Sequence, residues 1–512
     1  MSAPICLVTP PSAFLLDERV FMTLGILRVA SALEAAGRVV EMVDLSGVEN
    51  YVAAVQAHAA QSRARVFGLT ATTPQLPAAA RIANAIRVVR PDARLVLGGP
   101  HVTLVHAAAS RERREQRQGR GHRALLDLEA LFDVLVAGDG EDAIFVALEE
   151  TPPTLINADD PKSALFLSGN RLQQLRRPAR HLVDVDSYNY TIDGVRALSL
   201  IAQLGCPFGC GFCGGRESAS FRRVRIRPTE DVVDEVNEIH QTYGMRGFMF
   251  YDDELNVNRK MVELMRSISD LQMRLGVDFR LRGFVKAELF TDEQARTIYD
   301  AGFRWLLTGF ESGSPRILDN INKRATRDDN TRCVEIARRA GLKVKALMSV
   351  GHPGESDETI QQTQDWLLEV KPDDFDVTII TTYPGSPYYD EALAHPSQPG
   401  VWTYTAKSGD QLHGIELDYT ATADYYKGDP DGGYSAFVYS DALSTTDLVA
   451  RRDAVERTVR LALGIPFNQS SPAIRYEHSM GQGLPSNLLR VSAARDWRAP
   501  VPSTAAAPAT AR

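Results

Sequence analysis

The chain has 512 residues, 44% of them hydrophobic, and a formal net charge of −8. That length has room for about three domains, and the acidic balance excludes a nucleic-acid surface, which needs clustered Lys and Arg to meet phosphate. No apolar run is long enough to cross a bilayer and the first residues lack the pattern of a secretory signal, while five cysteines form no disulfide framework; the chain reads as cytoplasmic, without membrane or nucleic-acid partners.

Residues 1–150 alternate short β-branched runs with amphipathic stretches. Ile5 to Thr9, Val39 to Val43, Val66 to Thr70, Leu95 to Leu97 and Val134 to Val136 read as buried parallel strands, with helices near 22–36, 51–62, 75–89 and 125–131 between them. This order predicts an α/β domain with a doubly wound parallel sheet, whose ligands sit at the carboxyl ends of the strands. Those ends carry Thr70 and Thr72, Gly98 and Gly99, and Gly138 and Gly140. Glycines let a backbone approach a bulky ligand, and hydroxyls bond to its polar rim. No Asp-x-His-x-x-Gly run is present, and His101 reads as a hydrogen-bonded turn residue. The arginines from Arg111 to Arg123 read as a solvated surface insertion.

Residues 151–195 lack periodicity and read as a linker, after which Ala197 to Ala202 forms a strand leading into Cys206-Pro207-Phe208-Gly209-Cys210-Gly211-Phe212-Cys213. Three thiolates, Cys206, Cys210 and Cys213, hold three corners of a [4Fe–4S] cube and leave one iron open. A zinc site is the competing reading, but it prefers paired C-x2-C pieces and four closing ligands. Cys6 and Cys333 fall in strand and helix patterns and read as small buried hydrophobes.

Repeated units follow over residues 196–395. Helix 229–243 starts with Thr229 as its N-cap; strand Gly247 to Tyr251 ends in Asp252-Asp253-Glu254; and Phe279 to Val285 carries Arg280 and Arg282 on one face. Trp305 to Phe310 ends in Glu311-Ser312-Gly313-Ser314, Val344 to Val350 runs into Gly351-His352-Pro353-Gly354-Glu355-Ser356, and Asp376 to Thr381 is the sixth strand. Six such units predict a partial (β/α)6 barrel with its polar residues at strand carboxyl ends. Residues 396–485, rich in Tyr and holding an amphipathic helix from Asp447 to Leu463, read as a small α+β region that caps the barrel, and 486–512 as a disordered tail. The tyrosines suit a core edge more than a pocket.

The cysteine run, with the aromatic Phe212 before its last member, resembles the radical S-adenosylmethionine (SAM) superfamily, and residues 195 to 395 follow that family's motifs in order. The N-terminal strand ends resemble the cobalamin-binding domain that precedes the barrel in a large subfamily. The resemblance implies that the open iron binds SAM and that Asp252, Asp253 and Glu254 stand where the family recognises the SAM amino group, usually with Gly-Gly-Glu. It implies further that Arg282 holds the SAM carboxylate, that Glu311 and Ser312 meet the ribose and carboxylate, and that the turn at Gly354 lines the adenine. The Thr70, Thr72, Gly98, Gly99, Gly138 and Gly140 set would hold cobalamin, unless the domain has kept the shape and lost the cofactor.

The activity so implied is that of a cobalamin-dependent C-methyltransferase in natural-product biosynthesis, with a small-molecule substrate and a flavodoxin- or ferredoxin-type electron donor. An alternative is a non-methylating dehydratase, removing water from a 1,2-diol of an aminoglycoside-type sugar, or a cyclase; there Glu217 would serve as acid or base. A third, of another class, is a non-catalytic metal or corrinoid carrier.

Overall fold

The structure, a computed structural model, describes residues 3–12, 14–15, 18–426 and 433–467. The expected tail 486–512 and the end of the capping region lie outside the described residues.

Six parallel strands form the first sheet: β1 (Ile5–Thr9), β2 (Val40–Asp44), β3 (Val66–Thr70), β4 (Arg94–Gly98), β5 (Val134–Gly138) and β6 (Leu155–Ala158), in the order β2-β1-β3-β4-β5-β6. Both faces are covered, which is why the central strands β1, β3 and β5 are apolar along nearly their whole length. Ile5 and Leu7 pack against α1 (Leu24–Ala35) and α6 (Gly140–Ala147), whereas Cys6 and Val8 face the core built with α2 (Tyr51–Gln61), α3 (Leu76–Val89), α4 (Pro100–Arg114) and α5 (Arg120–Leu131). Two connections turn on glycines with left-handed backbone. A Cβ on Gly99, at φ +96°, would lie 2.5 Å from the Thr70 hydroxyl, and one on Gly138, at φ +95°, 2.5 Å from the Ala158 carbonyl carbon.

Two expectations change here. The stretch 151–195 is more than a linker, because Leu155–Ala158 joins the sheet beside β5. The Gly98-Gly99-Pro100-His101 turn opens a helix, α4, with Pro100 at its first position, where the missing N–H costs nothing. Of the arginines that follow, Arg113, Arg114 and Arg123 are exposed, as a solvated insertion requires, but the segment also docks. Arg120 is buried, donates to the Tyr389 carbonyl at 2.7 Å and stacks on the rings of Tyr389 and Trp402. Arg117 reaches the Asp390 carbonyl, and Arg123 pairs with Glu416 at 2.7 Å. The segment fastens the first sheet to the second half of the chain.

After the short helix α7 (Gly169–Leu172) and strand β7 (Thr191–Ile192), the chain enters the barrel at β8 (Val195–Leu200). A two-stranded ribbon, β9 (Gln203–Leu204) with β10 (Arg225–Ile226), brackets the cysteine loop and the short helix α8 (Ala219–Arg222). Then alternate α9 (Thr229–Tyr243), β11 (Gly247–Phe250), α10 (Met261–Leu275), β12 (Arg280–Gly283), α11 (Asp292–Asp300), β13 (Trp305–Glu311), α12 (Pro315–Ile321), α13 (Arg327–Arg339), β14 (Lys343–Val350), α14 (Asp357–Val370) and β15 (Asp374–Ile379). Strands β8, β11 and β12 pair in parallel, as do β13, β14 and β15, and bridges at Leu281–Phe303 and Phe284–Leu307 join the two sets into the six-stranded partial barrel. Thr229 is the first helical residue of α9, not its cap; its hydroxyl goes to Glu263 at 2.7 Å.

An open barrel leaves β15 with unpaired backbone groups, a liability unless covered. Helix α16 (Thr445–Leu463) covers them with side chains. Glu456 accepts from the Val377 N–H at 2.7 Å, Arg452 donates to the Val377 carbonyl at 2.8 Å, and Arg460 donates to the Phe375 carbonyl at 2.6 Å. Between β15 and α16 lie the short helix α15 (Pro387–Asp390) and an antiparallel sheet of β16 (Leu393–Ala394), β17 (Val401–Thr405), β18 (Gln411–Ile415) and β19 (Val438–Tyr439). Among the described residues no helix is long and apolar enough to cross a membrane.

Candidate active site between the first sheet and the barrel

The cysteine loop is held by backbone hydrogen bonds from distant elements. Cys206 N–H donates to Phe221, Gly211 N–H to Ile321 at 2.7 Å, and Tyr388 N–H to the Gly211 carbonyl at 3.1 Å. Arg222 ties down the carbonyls of Pro207 and Phe208, and the Lys286 ammonium lies 4.2 Å over the Phe208 ring. Cys206 and Cys210 are partly accessible and Cys213 is exposed, so their sulfurs can be reached. Burial pushes the Cys206 thiol up to about 11 and raises that of Cys210, so free thiolates there are disfavoured until a cation supplies compensating charge. Among the described residues, the donor set gathered within 4.8 Å, the spacing of one ion, is Cys6, Glu41 and His58 rather than the three loop cysteines. Three thiol donors on one loop are the chemistry that fits iron.

Strand ends bring a polar shell to this loop. Glu254 is the group that fits a cationic ligand: its Oε2 is buried with no hydrogen-bond partner among the described residues. Its backbone carbonyl is already engaged by Gln203 Nε2 at 2.8 Å and the Val257 N–H at 3.1 Å, so the carboxylate is what remains to offer. Asp252 is not part of that offer. It accepts from the backbone N–H groups of Ala202 and Gln203, which shapes the approach to the cysteines. Asp253 faces the cavity described below.

Glu311 sits in left-handed backbone at φ +65°, at a register break in β13, a strained geometry for a side chain. Its carboxylate takes Lys323 Nζ at 2.8 Å and Ser349 Oγ at 2.8 Å, and Ser349 also meets His352 Nε2 at 2.8 Å. Burial works against ionisation of Glu311, but Lys323 and these hydrogen bonds hold its carboxyl below the usual range. Ser312 turns away: its hydroxyl shares a hydrogen bond with Thr363 and accepts from the Ser314 N–H. Gly354 is packed by Asp410, which a Cβ there would meet at 2.7 Å. Phe212 lies edge-on to His352, ring centroids 5.5 Å apart.

Arg282 is placed elsewhere. It points into the barrel, donates to the Tyr190 hydroxyl at 3.1 Å and lies over that ring. The cations that act on Cys210 and Glu254 are Lys323 and Lys286. Lys286 was legible as a residue just beyond the carboxyl end of β12, and Lys323 closes the Ile317-to-Lys323 run. Glu217 is exposed and paired with Arg114 at 2.9 Å and Arg111 at 3.9 Å, which makes it a docking contact for α4 and not an acid or base beside a substrate.

One cavity of about 760 Å³ joins the two halves. Thr70, Thr72, Gly98, Gly99, Gly138 and Gly140 line it from the first sheet. Gly205, Gly214, Tyr251 and Asp253 line it from the barrel side, and Tyr426 and Tyr434 from the Tyr-rich region, whose Tyr419 and Tyr425 are core as expected. Buried pairs flank its polar end, Arg225 with Asp139 at 2.5 Å and Arg28 with Glu141 at 4.0 Å. The glycine rim and the cavity fit a large flat cofactor. His101 does not line it. The ring is buried, its Nδ1 meets Thr73 Oγ1 at 3.1 Å, and burial lowers its pKa to about 3, so it stays neutral.

Residues 200–367 match the radical SAM superfamily, and residues 18–146 match the B12 binding domain. The chain carries a radical SAM domain with a B12-binding domain ahead of it. An uncharacterised methyltransferase of Pyrococcus horikoshii is 28% identical over 347 residues, 64% of this chain and 70% of the relative. The anaerobic magnesium-protoporphyrin IX monomethyl ester cyclase of Cereibacter sphaeroides is 26% identical over 347 residues, 64% of this chain but about half, 53%, of the cyclase. In overall fold the chain is similar to TsrM from Kitasatospora setae, a radical S-adenosylmethionine methyltransferase whose structure holds cobalamin and a [4Fe–4S] cluster: TM-score 0.65 at 19% identity, over 89% of this chain and 91% of that one. The two matched segments are the ones that meet at the cavity.

Proposed function

We propose that the protein is a cobalamin-dependent radical SAM methyltransferase that methylates carbon in a small natural-product intermediate in the cytoplasm, with a flavodoxin- or ferredoxin-type protein as electron donor. The observation that carries this reading is that the first sheet's strand ends and the barrel residues Gly205, Gly214 and Asp253 line the same cavity. A carrier would not need its corrinoid cradle to open onto the cysteine loop. The dehydratase alternative gives its acid or base role to Glu217, which does not line the cavity and is held in ion pairs by Arg114 and Arg111. Methyltransferases among the similar proteins support the same reading.

When bound, the cluster, SAM and corrinoid supply one-electron cleavage of the sulfonium and a transferable methyl group. Cys206, Cys210 and Cys213 would hold the cluster. The Glu254 carboxylate would take the SAM ammonium, while Lys286 and Lys323 add positive charge beside the cluster and the SAM carboxylate. Glu311 and Ser349 would meet the ribose hydroxyls. Thr70, Thr72, Gly98, Gly99, Gly138 and Gly140 would seat the corrinoid, and Tyr251, Tyr426 and Asp253 would face the substrate between the two cofactors.

The test needs no knowledge of the substrate. Anaerobically reconstituted protein, given reductant and SAM, should form one equivalent of S-adenosylhomocysteine per bound cobalamin and none without it, and Cys210→Ala should abolish 5′-deoxyadenosine formation. Formation of 5′-deoxyadenosine alone, with or without cobalamin, would overturn the methyltransferase reading.

A further inference from the structure

Away from the cavity, three metal-ligating side chains converge on the α2 side of the first sheet. Cys6 and Glu41 are register partners on adjacent strands β1 and β2, so both side chains leave the same face. Helix α2 crosses that face, and its last turn presents His58. Cys6 Sγ lies 3.6 Å from His58 Nε2, and the same Nε2 lies 2.9 Å from Glu41 Oε2. All three donor atoms are within 4.8 Å of one another. Ser62 Oγ adds a hydrogen bond to that Oε2 at 2.6 Å.

A divalent cation would engage all three donor atoms at once, taking the place of the hydrogen bond between Nε2 and Glu41. The Sγ to Nε2 separation matches the roughly 3.5 Å edge of a tetrahedron with a zinc–sulfur bond of about 2.3 Å and a zinc–nitrogen bond of about 2.0 Å. The Nε2 to Oε2 edge would open to roughly 3.3 Å on binding. A thiolate, an imidazole and a carboxylate together favour zinc over magnesium or calcium. Cys6 is fully buried whereas Glu41 and His58 are partly exposed, which leaves an entry path from the surface.

We propose that Cys6, Glu41 and His58 form a Zn²⁺ site, its fourth position taken by water or Ser62 Oγ, that ties the edge strand β2 and helix α2 to β1. Binding releases the Cys6 proton to solvent as the sulfur–zinc bond forms, with no change of oxidation state. The site is independent of the radical chemistry.

The experiment uses the full-length chain reconstituted with its cluster, stripped of loose metal by a chelator and then loaded with Zn²⁺. Metal analysis should find one zinc per chain, and zinc-edge X-ray absorption should find one sulfur ligand with nitrogen and oxygen neighbours. Three sulfur ligands would place the metal on Cys206, Cys210 and Cys213 and overturn the proposal, as would no zinc after gel filtration. Cys6→Ser should abolish retention. Should that buried substitution prevent folding, His58→Gln decides, since its ring is near the surface: a 10- to 100-fold weaker zinc affinity supports the site, and unchanged affinity overturns it.

Discussion

Glu254 concentrates the residue-scale chemistry. Burial raises its pKa to about 7 against the pull of Lys323 and Lys286, so the carboxyl ionises well above the usual carboxylate range. An acid displaced upward is ionised only above its new pKa, and a cationic ligand needs the ionised form. SAM affinity should therefore rise as pH increases through about 7 and level off above it, read from the SAM concentration dependence of 5′-deoxyadenosine formation. Glu254→Gln should weaken SAM binding by about 10- to 100-fold, the worth of a charge-assisted hydrogen bond of roughly 1.5–3 kcal/mol, and should flatten that pH profile. A profile that persists in the variant would assign the titration to another group. Gly98 offers a separate check. Its backbone lies outside the left-handed region, and an added Cβ would meet nothing closer than Val136 Cβ at 3.8 Å. Gly98→Leu should therefore fold yet fill the cavity, lowering cobalamin retention on gel filtration by roughly tenfold or more. Full retention would move the corrinoid elsewhere.

At the scale of elements, α4 is the connection that matters. It begins at the Gly99 rim of the cavity, packs Leu104 against Gly214 and Gly385, and ends with Arg111 and Arg114 on Glu217. One rigid rod thus spans the distance between the glycine rim of the cavity and the cysteine loop. Its contacts are unequal. The Glu217 pairs are exposed and screened, so Glu217→Gln should change stability by less than about 1 kcal/mol and leave SAM cleavage intact. A dead Glu217→Gln enzyme would restore its role as acid or base. Arg120 is buried between two rings with a carbonyl to bond, so Arg120→Ala should cost about 2–4 kcal/mol in urea unfolding and open the α4–α5 segment to proteolysis. A cost below about 0.5 kcal/mol would mean that the arginine clamp is ornamental to the docking.

At the scale of the whole molecule, buried ion pairs join segments that are far apart in the chain. Glu235 on α9 is buried with Arg180, at 2.6 Å, from the stretch before the barrel, and with Arg227, at 2.5 Å, from beyond the cysteine loop. Burial alone would raise its pKa, but the two guanidinium groups outweigh burial and hold it at about 2. Because the folded value lies below the unfolded one, its stabilisation is complete above the ordinary carboxylate range near pH 4.5 and is lost as pH falls toward about 2. Glu235→Gln should cost about 3–5 kcal/mol at neutral pH by leaving two buried cations short of charge. The variant and the natural chain should converge in stability near pH 2, as followed by denaturant unfolding across pH. A constant difference down to that pH would assign the loss to packing instead.

Features carried by neighbouring residues were legible without coordinates. The strand runs, the C-x3-C-x2-C loop, the glycine-bearing strand ends and the acids after β11 and β13 each declare themselves through local periodicity or spacing, because covalent proximity sets them. What could not be read was which partner each charged side chain finds. Arg282 and Lys286 lie four residues apart on the same strand-to-loop passage, and only the pleat of β12 and the ring of Tyr190 send one into the barrel and the other to Phe208. The arginines after α4 carry no periodicity that distinguishes a wet surface from a docking face; Tyr389 and Trp402, more than two hundred residues later, make that difference. The amino-acid order alone determined a parallel sheet, a partial barrel and a three-thiolate loop, since hydrophobic period and ligand spacing act over a few residues. The tertiary structure decided which acids and cations meet in one cavity, because charge pairing and desolvation depend on distances that only the packed chain defines.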